Sequence, residues 1–282
     1  MADDIARGFD LVGKVPQSGT LSKKFSPSAP SISDLHSAAP SARKALRSMT
    51  RSSGDFDMDV QLWKKTQSEL DRGWLVGPID WDSLPDEAVV SRRSPIEQSG
   101  KIRPIDDYTQ SQVNLTIHST ETASVDTVDY ICAMFSTFVN DLRKNRQNGS
   151  IVSRSLDLSL AYRQLSVSAG SADYSYISVF NPYNGMASLF RQVALPFGSK
   201  AAVNAFIRCA RCLQWIAAKC LSIPVSCYFD DFVLASPPQL FENTNSAMCL
   251  MLSLLGWQFD ETGPKADIFS TEVSALCVAF SL

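Results

Sequence analysis

Three observations predict an α+β fold whose antiparallel sheet carries its helices on one face. From residue 151 onwards, short runs of β-forming residues alternate with segments of helical periodicity. Residues 181–185, Asn-Pro-Tyr-Asn-Gly, separate two such runs and predict a β-hairpin. Residues 200–221 show helical periodicity without an internal Gly or Pro and predict the longest helix. Residues 151–282 are therefore predicted to form one region.

The N-terminal region, residues 1–56, is predicted to be an arm without regular structure. Residues 13–54 are rich in Ser, Pro, Ala and basic residues, and they show little apolar periodicity. Such a composition cannot bury enough apolar surface to offset the entropy of ordering, so this segment is predicted to be disordered.

Residues 57–150 form the second predicted region. Order begins near Asp57, where apolar residues fall on one helical face, and Gly73 ends that pattern. A β-hairpin is predicted across residues 88–106, and an amphipathic helix over residues 125–142.

Length and composition bound the class of protein. The length of 282 residues predicts one large domain or two small ones, and an apolar content of 45% is enough for a sizeable core. The sequence contains no run of about 18 apolar residues, so no membrane span is predicted. The acidic start, Met1-Ala2-Asp3-Asp4, lacks the apolar segment of a secretory signal. The seven cysteines lie mostly inside apolar runs and predict reduced, buried thiols in an intracellular protein, either cytoplasmic or nuclear.

The net charge of −3 taken alone argues against binding to nucleic acid. The charge is unevenly distributed along the chain, however. Residues 92–211 carry 13 basic and 9 acidic side chains, whereas residues 212–282 carry 2 and 7. The basic excess in the middle of the chain makes a nucleic-acid surface possible there, although scattered surface Lys and Arg would give a similar count.

Three aspartates carry the chemistry that the sequence predicts. Asp230 and Asp231 lie between two apolar, β-forming runs, which predicts strand, tight turn and strand. Asp157 ends a similar run upstream. Three carboxylates on two neighbouring strand ends can hold two Mg²⁺ ions, the requirement for attack of a hydroxyl on a nucleotide phosphate. The alternative is that they are ordinary turn and helix-capping aspartates.

Five segments, in family order, resemble the motifs of reverse transcriptases and span roughly residues 57–280. They are residues 101–108 with Asn114 (fingers motif), 155–165 (motif A), 195–200 (motif B), Tyr228-Phe229-Asp230-Asp231 (the Tyr-x-Asp-Asp box) and 263–269 (near motif D). Because this form of motif B is common in LTR retrotransposons, the chain resembles the reverse transcriptases of LTR-type retroelements.

The resemblance implies a right-hand polymerase, with fingers over residues 57–150, the palm over residues 151–282, and no thumb. It implies an RNA-directed DNA polymerase that adds deoxynucleotides to a primer on an RNA or DNA template. Two Mg²⁺ ions, or Mn²⁺ in their place, are the implied cofactors. The implied metal ligands are Asp157, Asp230, Asp231 and the main-chain carbonyl of Leu158. The thumb would come from a partner chain or from a further C-terminal region.

The resemblance also assigns residues to the nucleotide. They are Tyr162, Phe197, Gly198, Lys101, Arg103 and Lys265. The resemblance implies that the Tyr162 ring collides with a ribose 2′-hydroxyl. It implies that Lys101 and Arg103, on the predicted hairpin, bind the triphosphate. The alternatives are that Tyr162 packs in the core, that the hairpin of Lys101 and Arg103 is an ordinary solvated one, and that Lys265 is a surface lysine.

Two other functions fit parts of the sequence. An RNA-dependent RNA polymerase has a similar palm, but it usually carries Gly-Asp-Asp, and Tyr228 together with Tyr162 favours deoxynucleotides. A non-catalytic retroelement remnant that binds nucleic acid would also lack a thumb, whereas the intact aspartate triad argues for retained chemistry. The fingers motif has Thr109 after Tyr108, where the family often has Arg. The detailed geometry of the fingers is therefore not carried over from the family.

Overall fold

The computed structural model describes residues 1–17, 19, 22–24, 30–98, 100–260 and 268–282. The chain divides into two compact units. The first unit contains Met1–Thr122 and Tyr162–Ala205, and the second contains Ala123–Ala161 and Phe206–Leu282. The predicted boundaries near residues 56 and 150 differ from this division, and the assignment of fingers and palm stays a prediction.

Helices and strands are each numbered in chain order. The helices are α1 (Ala2–Arg7), α2 (Ile32–Met49), α3 (Phe56–Asp71), α4 (Val128–Lys144), α5 (Lys200–Cys220) and α6 (Phe241–Leu254). The strands are β1 (Gly13–Lys14), β2 (Leu75–Ile79), β3 (Val90–Gln98), β4 (Lys101–Asp107), β5 (Ile117–His118), β6 (Val152–Asp157), β7 (Tyr176–Asn181), β8 (Met186–Gln192), β9 (Val225–Tyr228), β10 (Asp231–Ser236), β11 (Glu272–Ala275) and β12 (Val278–Ser281).

The first unit is built on a five-stranded mixed sheet with the order β2-β8-β7-β3-β4. The predicted hairpins are present as β3–β4 and β7–β8. The sequence predicted one antiparallel sheet from residue 151 onwards, and this prediction was wrong. Strand β7 pairs in parallel with β3, so the β7–β8 hairpin joins strands from the N-terminal half. Local patterns predict hairpins, but they contain no information on which distant strands pair.

Two helices pack on this sheet. Helix α3 contributes Leu62 to a core cluster with Leu75, Ile177 and Phe190. Helix α2 begins with a capping box between Ser31 and Asp34 and buries three apolar side chains (Leu35, Ala39 and Leu46). The structure therefore differs from the disorder predicted over residues 13–54. The apolar stripe of α2 is short and partly made of alanine, so its periodicity is weak in the sequence.

The second unit contains a three-stranded antiparallel sheet with the order β6-β10-β9. The sequence predicted helices on one face only, whereas helices contact both faces. Val233 lies in a cluster with Ile131 and Phe135 of α4. On the opposite face, Ser236 of β10 bonds Thr244 of α6 with 2.9 Å between their hydroxyl oxygens. The run at residues 232–236 is buried without alternation, as a strand covered on both faces requires.

In the C-terminal segment, the β-forming residues 257–259 and roughly 273–280 predict two short strands. At residues 257–259 the structure instead has an isolated bridge, between Leu158 and Phe259. The segment around residues 273–280 folds back on itself as the β11–β12 hairpin instead of forming one strand. The β11 residues Val273 and Ala275 complete the core cluster beneath α4.

The cysteines are free thiols, but they are not uniformly buried as the sequence predicted. Cys209 and Cys227 are buried, whereas Cys132, Cys220 and Cys277 are exposed. Among the helices of the described residues, none combines the length and the apolar content needed to cross a membrane.

Candidate active site

The aspartates of the predicted catalytic centre lie together at one end of the sheet in the second unit. Strands β9 and β10 are joined by Phe229 and Asp230. Asp231 pairs with Tyr228 on one side and with Asp157 of β6 on the other. Side chains directly opposite each other in an antiparallel pair share a face, so the carboxylates of Asp157 and Asp231 are neighbours. Asp157 is 8% exposed, and Asp230 and Asp231 are half-buried.

The turn between β9 and β10 holds an unusual backbone conformation. Phe229 has a φ of 53°, the left-handed region that two-residue hairpin turns need and that bulky residues avoid. The Cys227 thiol donates to the Phe229 carbonyl, with 3.4 Å between sulfur and oxygen. Burial raises the pKa of Cys227 well above its ordinary value, so the thiol stays protonated and remains a donor. The rings of Tyr228 and Phe229 meet edge to face at 5.1 Å. These contacts fix the turn that carries Asp230.

The end of β6 is tied to the same turn. The Leu158 N–H donates to the Asp230 carbonyl at 3.0 Å, and the Asp260 N–H donates to the Asp157 carbonyl at 3.1 Å. The Ser159 hydroxyl donates to the Asp260 carboxylate. Backbone hydrogen bonds therefore hold Asp157 and Asp230 in a fixed relation, independent of their side chains.

The carboxylates of Asp157 and Asp231 are of the type and number that suit a magnesium ion whose remaining ligands come from a substrate. In the described residues, no group of three or more His, Cys, Asp or Glu side chains could by itself hold a metal ion. Asp157 and Asp231 nevertheless supply two carboxylates directly opposite each other. Mg²⁺ in nucleotide enzymes is usually held by one or two carboxylates together with substrate phosphates, and it does not need a cage made only of protein groups.

In the first unit, the structure brings Tyr162 and Phe197 together. Tyr162 lies in the 3-10 turn Ala161–Gln164, and Phe197 precedes α5. Their ring centroids are 5.1 Å apart, and the ring planes are inclined by 59°. Phe197 is 39% exposed and Tyr162 is half-buried. The pair therefore presents an accessible aromatic surface in which each ring is packed against the other.

The turn before α5 is built around Gly198. Its φ is +98°, and a Cβ placed there would lie 2.1 Å from the Asp106 carbonyl oxygen. Asn114 holds the turn from both sides. Its Nδ2 donates to the Gly198 carbonyl at 2.9 Å, and its Oδ1 accepts from the Lys200 N–H at 2.7 Å. Asn114 thus stabilises the turn before α5 by contacts within the first unit.

The hairpin cations are separated by the two faces of the sheet. Lys101 and Arg103 are exposed on one face of β4, and Arg92 lies across the hairpin on that face. Arg93, the residue after Arg92, points to the other face, and its side chain is completely buried against Asp106 and Glu69. Arg93 is therefore a structural cation. Lys265 lies outside the described residues.

The sequence matches no family model and no curated protein. Among solved structures, the chain is similar to a foamy viral protease–reverse transcriptase in complex with double-stranded DNA. The TM-score is 0.52 at 14% sequence identity, and the match covers 92% of this chain. The chain has a reverse-transcriptase-like fold. It spans 37% of the length of the foamy viral protein.

The predicted α+β class is confirmed, and the reverse-transcriptase-like fold is consistent with a polymerase-like architecture. The roles given to individual residues stay predictions. The structure places Asp157, Asp230 and Asp231 together in the second unit, and Tyr162, Phe197 and Gly198 close to one another in the first.

Asp126 supports the carboxylate turn, although no sequence pattern pointed to it. It is 5% exposed. Its carboxylate accepts from the Cys227 N–H at 2.8 Å, from Arg211 at 2.6 Å and from Gln214 at 2.7 Å. The contact with Cys227 holds β9 just before the turn. In the sequence, Asp126 resembles an ordinary aspartate at the start of a helix, because its partners lie 85 to 101 residues away.

Asp126→Asn is expected to lower the free energy of unfolding by about 2 kcal/mol, because a buried carboxylate with charged and amide donors loses its charge and Arg211 loses its carboxylate partner. Urea denaturation measures this change. The matched control is Asp129→Asn, an exposed aspartate in the first turn of α4. Equal destabilisation by the two variants would show that Asp126 does not support the turn.

Proposed function

We propose that this chain carries the polymerase active site of a reverse transcriptase similar to those of LTR-type retroelements. It would catalyse template-directed addition of deoxynucleotides to a primer. The observation that carries the proposal is the direct pairing of Asp157 with Asp231, with Asp230 in the adjoining turn. The reverse-transcriptase-like fold of the chain supports it.

Asp157, Asp230, Asp231 and the Leu158 carbonyl would hold Mg²⁺, or Mn²⁺ in its place. When bound, these ions would lower the pKa of the primer 3′-hydroxyl and neutralise charge on the leaving pyrophosphate. The chain itself contributes a fixed position for each carboxylate.

The residues of the first unit would bind and select the nucleotide. Tyr162, supported by Phe197, would present an aromatic surface that a ribose 2′-hydroxyl cannot pass. The exposed turn at Gly198 allows a phosphate or a base to approach the backbone closely. Arg103 and Lys101, exposed on one face of their hairpin, would contact the triphosphate, and Lys265 would meet the leaving pyrophosphate.

The proposed macromolecular partner is a primer–template duplex of RNA or DNA. The similar foamy viral protein was solved with double-stranded DNA. In this chain, residues 92–211 carry 13 basic against 9 acidic side chains, a balance that suits phosphate contacts.

Primer extension tests the proposed function. The assay compares RNA and DNA templates, each with deoxynucleotides or ribonucleotides. Extension of a DNA primer on RNA with deoxynucleotides supports the proposal. Incorporation of ribonucleotides alone would indicate an RNA-dependent RNA polymerase. Binding of duplex without any extension would indicate a non-catalytic remnant.

Tyr162→Val is expected to raise the use of ribonucleotides relative to deoxynucleotides by about tenfold, or about 1.4 kcal/mol, because the proposed contact excludes the 2′-hydroxyl by bulk. The ratio of kcat/KM values for the two sugars measures this. Tyr162→Phe is the control, since it keeps the ring and should keep the ratio. An unchanged ratio in an active Tyr162→Val variant would make Tyr162 a packing residue only.

A further inference from the structure

A closed ring of buried polar side chains lies inside the first unit. We call it the buried ring, and its members are Glu69, Arg93, Asp106, Arg163 and Gln192. Their exposed fractions lie between 1% and 9%. Two carboxylates balance two guanidinium groups, and the amide is neutral. The members come from α3, β3, β4, the turn Ala161–Gln164 and β8, so the ring joins five separate elements.

Each member of the ring contacts the next. Arg93 donates to Asp106 at 2.7 Å and to Glu69 at 2.7 Å. Arg163 donates to the other oxygen of Glu69 at 2.8 Å and to the Gln192 carbonyl at 2.7 Å. The Gln192 amide closes the ring by donating to Asp106 at 2.8 Å.

Both guanidinium groups remain charged in this setting. Although burial alone would lower it, the carboxylates of Asp106 and Glu69 raise the pKa of Arg93. Burial lowers the pKa of Arg163, and the Glu69 carboxylate opposes that effect. The Glu69 carboxylate lies 2.8 Å from Arg163, and arginine is effectively always protonated in proteins, so Arg163 keeps its positive charge.

Stability is a weak reason for such a ring. Burying four charges costs desolvation energy, and apolar side chains of similar volume often stabilise a protein as well or better. What the ring supplies is fixed geometry, because Arg93 donates in defined directions to Asp106 and Glu69, and the two terminal nitrogens of Arg163 donate to Gln192 and Glu69. The groups that benefit from this geometry are those that the ring contacts.

Two members of the ring reach the aromatic pair and its turn. Arg163 directly follows Tyr162, and its guanidinium lies 5.6 Å from the centre of the Phe197 ring and 5.9 Å from that of Trp74. The Asp106 carbonyl lies against Gly198, so close that no side chain fits between them. Gln192 connects Arg163 to Asp106 and thereby links Tyr162 to the turn that carries Phe197.

We propose that the buried ring positions the Tyr162–Phe197 pair, and that Gln192 and Arg163 are positioning residues for the choice between deoxyribose and ribose. This inference rests on the proposed function. Neither residue needs to touch the nucleotide. The guanidinium of Arg163 makes a cation–aromatic contact with Phe197, and the Phe197 ring in turn packs against Tyr162.

The test is Gln192→Met, which keeps the volume of the side chain and removes both of its hydrogen bonds within the ring. The variant should raise the ratio of ribonucleotide to deoxynucleotide incorporation by about fivefold or more, since the cation–aromatic contact that it loosens is large enough for such a factor. The KM for the deoxynucleotide should rise more than kcat falls, because the carboxylate turn is untouched.

Thr66→Val is the matched control. Thr66 is fully buried beside the ring, and its hydroxyl accepts from Arg93 at 3.3 Å without contacting Arg163. The substitution should lower thermal stability and leave the sugar ratio unchanged. A purely structural ring would instead make both variants less stable and change the sugar ratio in neither.

Arg163→Lys is the second variant, to be used if Gln192→Met does not fold. It keeps a positive charge near Glu69 but loses the planar group over Phe197 and the bond to Gln192, so it should shift the ratio in the same direction. An active variant with an unchanged ratio overturns this inference alone. A wild-type chain that extends no primer overturns the proposed function and the inference with it.

Discussion

The Asp157→Asn and Asp230→Asn variants are expected to lose primer extension by about a thousandfold or more while remaining folded. A neutral amide has nearly the shape of the carboxylate, but it cannot stabilise a divalent cation to the same degree, and several kcal/mol of transition-state stabilisation are lost with the ion. The fold should persist because backbone hydrogen bonds, such as that from Leu158 to Asp230, hold the strand ends. Like charges directly opposite each other are destabilising, so removing one carboxylate does not weaken the pairing of β6 with β10.

Single-turnover extension and thermal unfolding should be measured on the same preparations. Asp141→Asn is the matched control, because this exposed aspartate of α4 belongs to the second unit and its carboxylate pairs with Lys144 on the surface. The control should extend primers at the wild-type rate. If Asp230→Asn did the same, the carboxylate turn would have no part in the chemistry.

The local elements that the sequence predicted correctly are those with their own turn chemistry. Residues 181–185 contain a proline, a glycine and two asparagines, and they connect β7 and β8 as predicted. The helix predicted over residues 200–221 is α5, Lys200–Cys220. In each case the signal lies within a few residues of the element that it determines.

The parts that could not be predicted depend on distant contacts. Nothing near residue 176 indicates that β7 pairs in parallel with β3, because that register arises from the packing of the whole sheet. Helix α2 lies in a segment whose composition resembles that of disordered chains. Its stability comes from packing Leu46 against Ala88 and Leu189, and these contacts leave no trace in local periodicity.

The same distinction between local signals and distant contacts applies to the candidate site. The neighbourhood of Asp157 and Asp231 could be predicted, because each follows or begins a β-forming run. The burial of Arg93 could not, since an arginine becomes a core residue only where carboxylates from other elements meet it. Asp126 was missed for the same reason. Supporting residues are determined by the tertiary structure, whereas the residues predicted to react lie in short motifs.

Gly198→Ala is expected to be the most damaging substitution in the first unit. A positive φ of 98° already disfavours a side chain, and the new Cβ would lie 2.1 Å from the Asp106 carbonyl oxygen, far inside contact distance. The backbone must therefore shift. We expect a loss of about 2–5 kcal/mol in unfolding free energy, the sum of the conformational penalty and of forced repacking. The displaced turn should also break the Asn114 bonds to Gly198 and Lys200 and raise the KM for deoxynucleotides.

Gly185→Ala is the control that separates the conformational penalty from the effect of the contact with Asp106. Gly185 also has a positive φ, of 70°, but a Cβ there would meet no atom within 4 Å. This substitution should cost only the conformational penalty, about 1 kcal/mol, and leave the KM unchanged. Chemical denaturation of both variants gives the difference that is due to the contact with Asp106. If the two variants proved equally stable, the close approach of Gly198 to Asp106 would be absent in solution. The buried ring would then have no contact with this turn through Asp106. Its contact with Phe197 through Arg163 would remain.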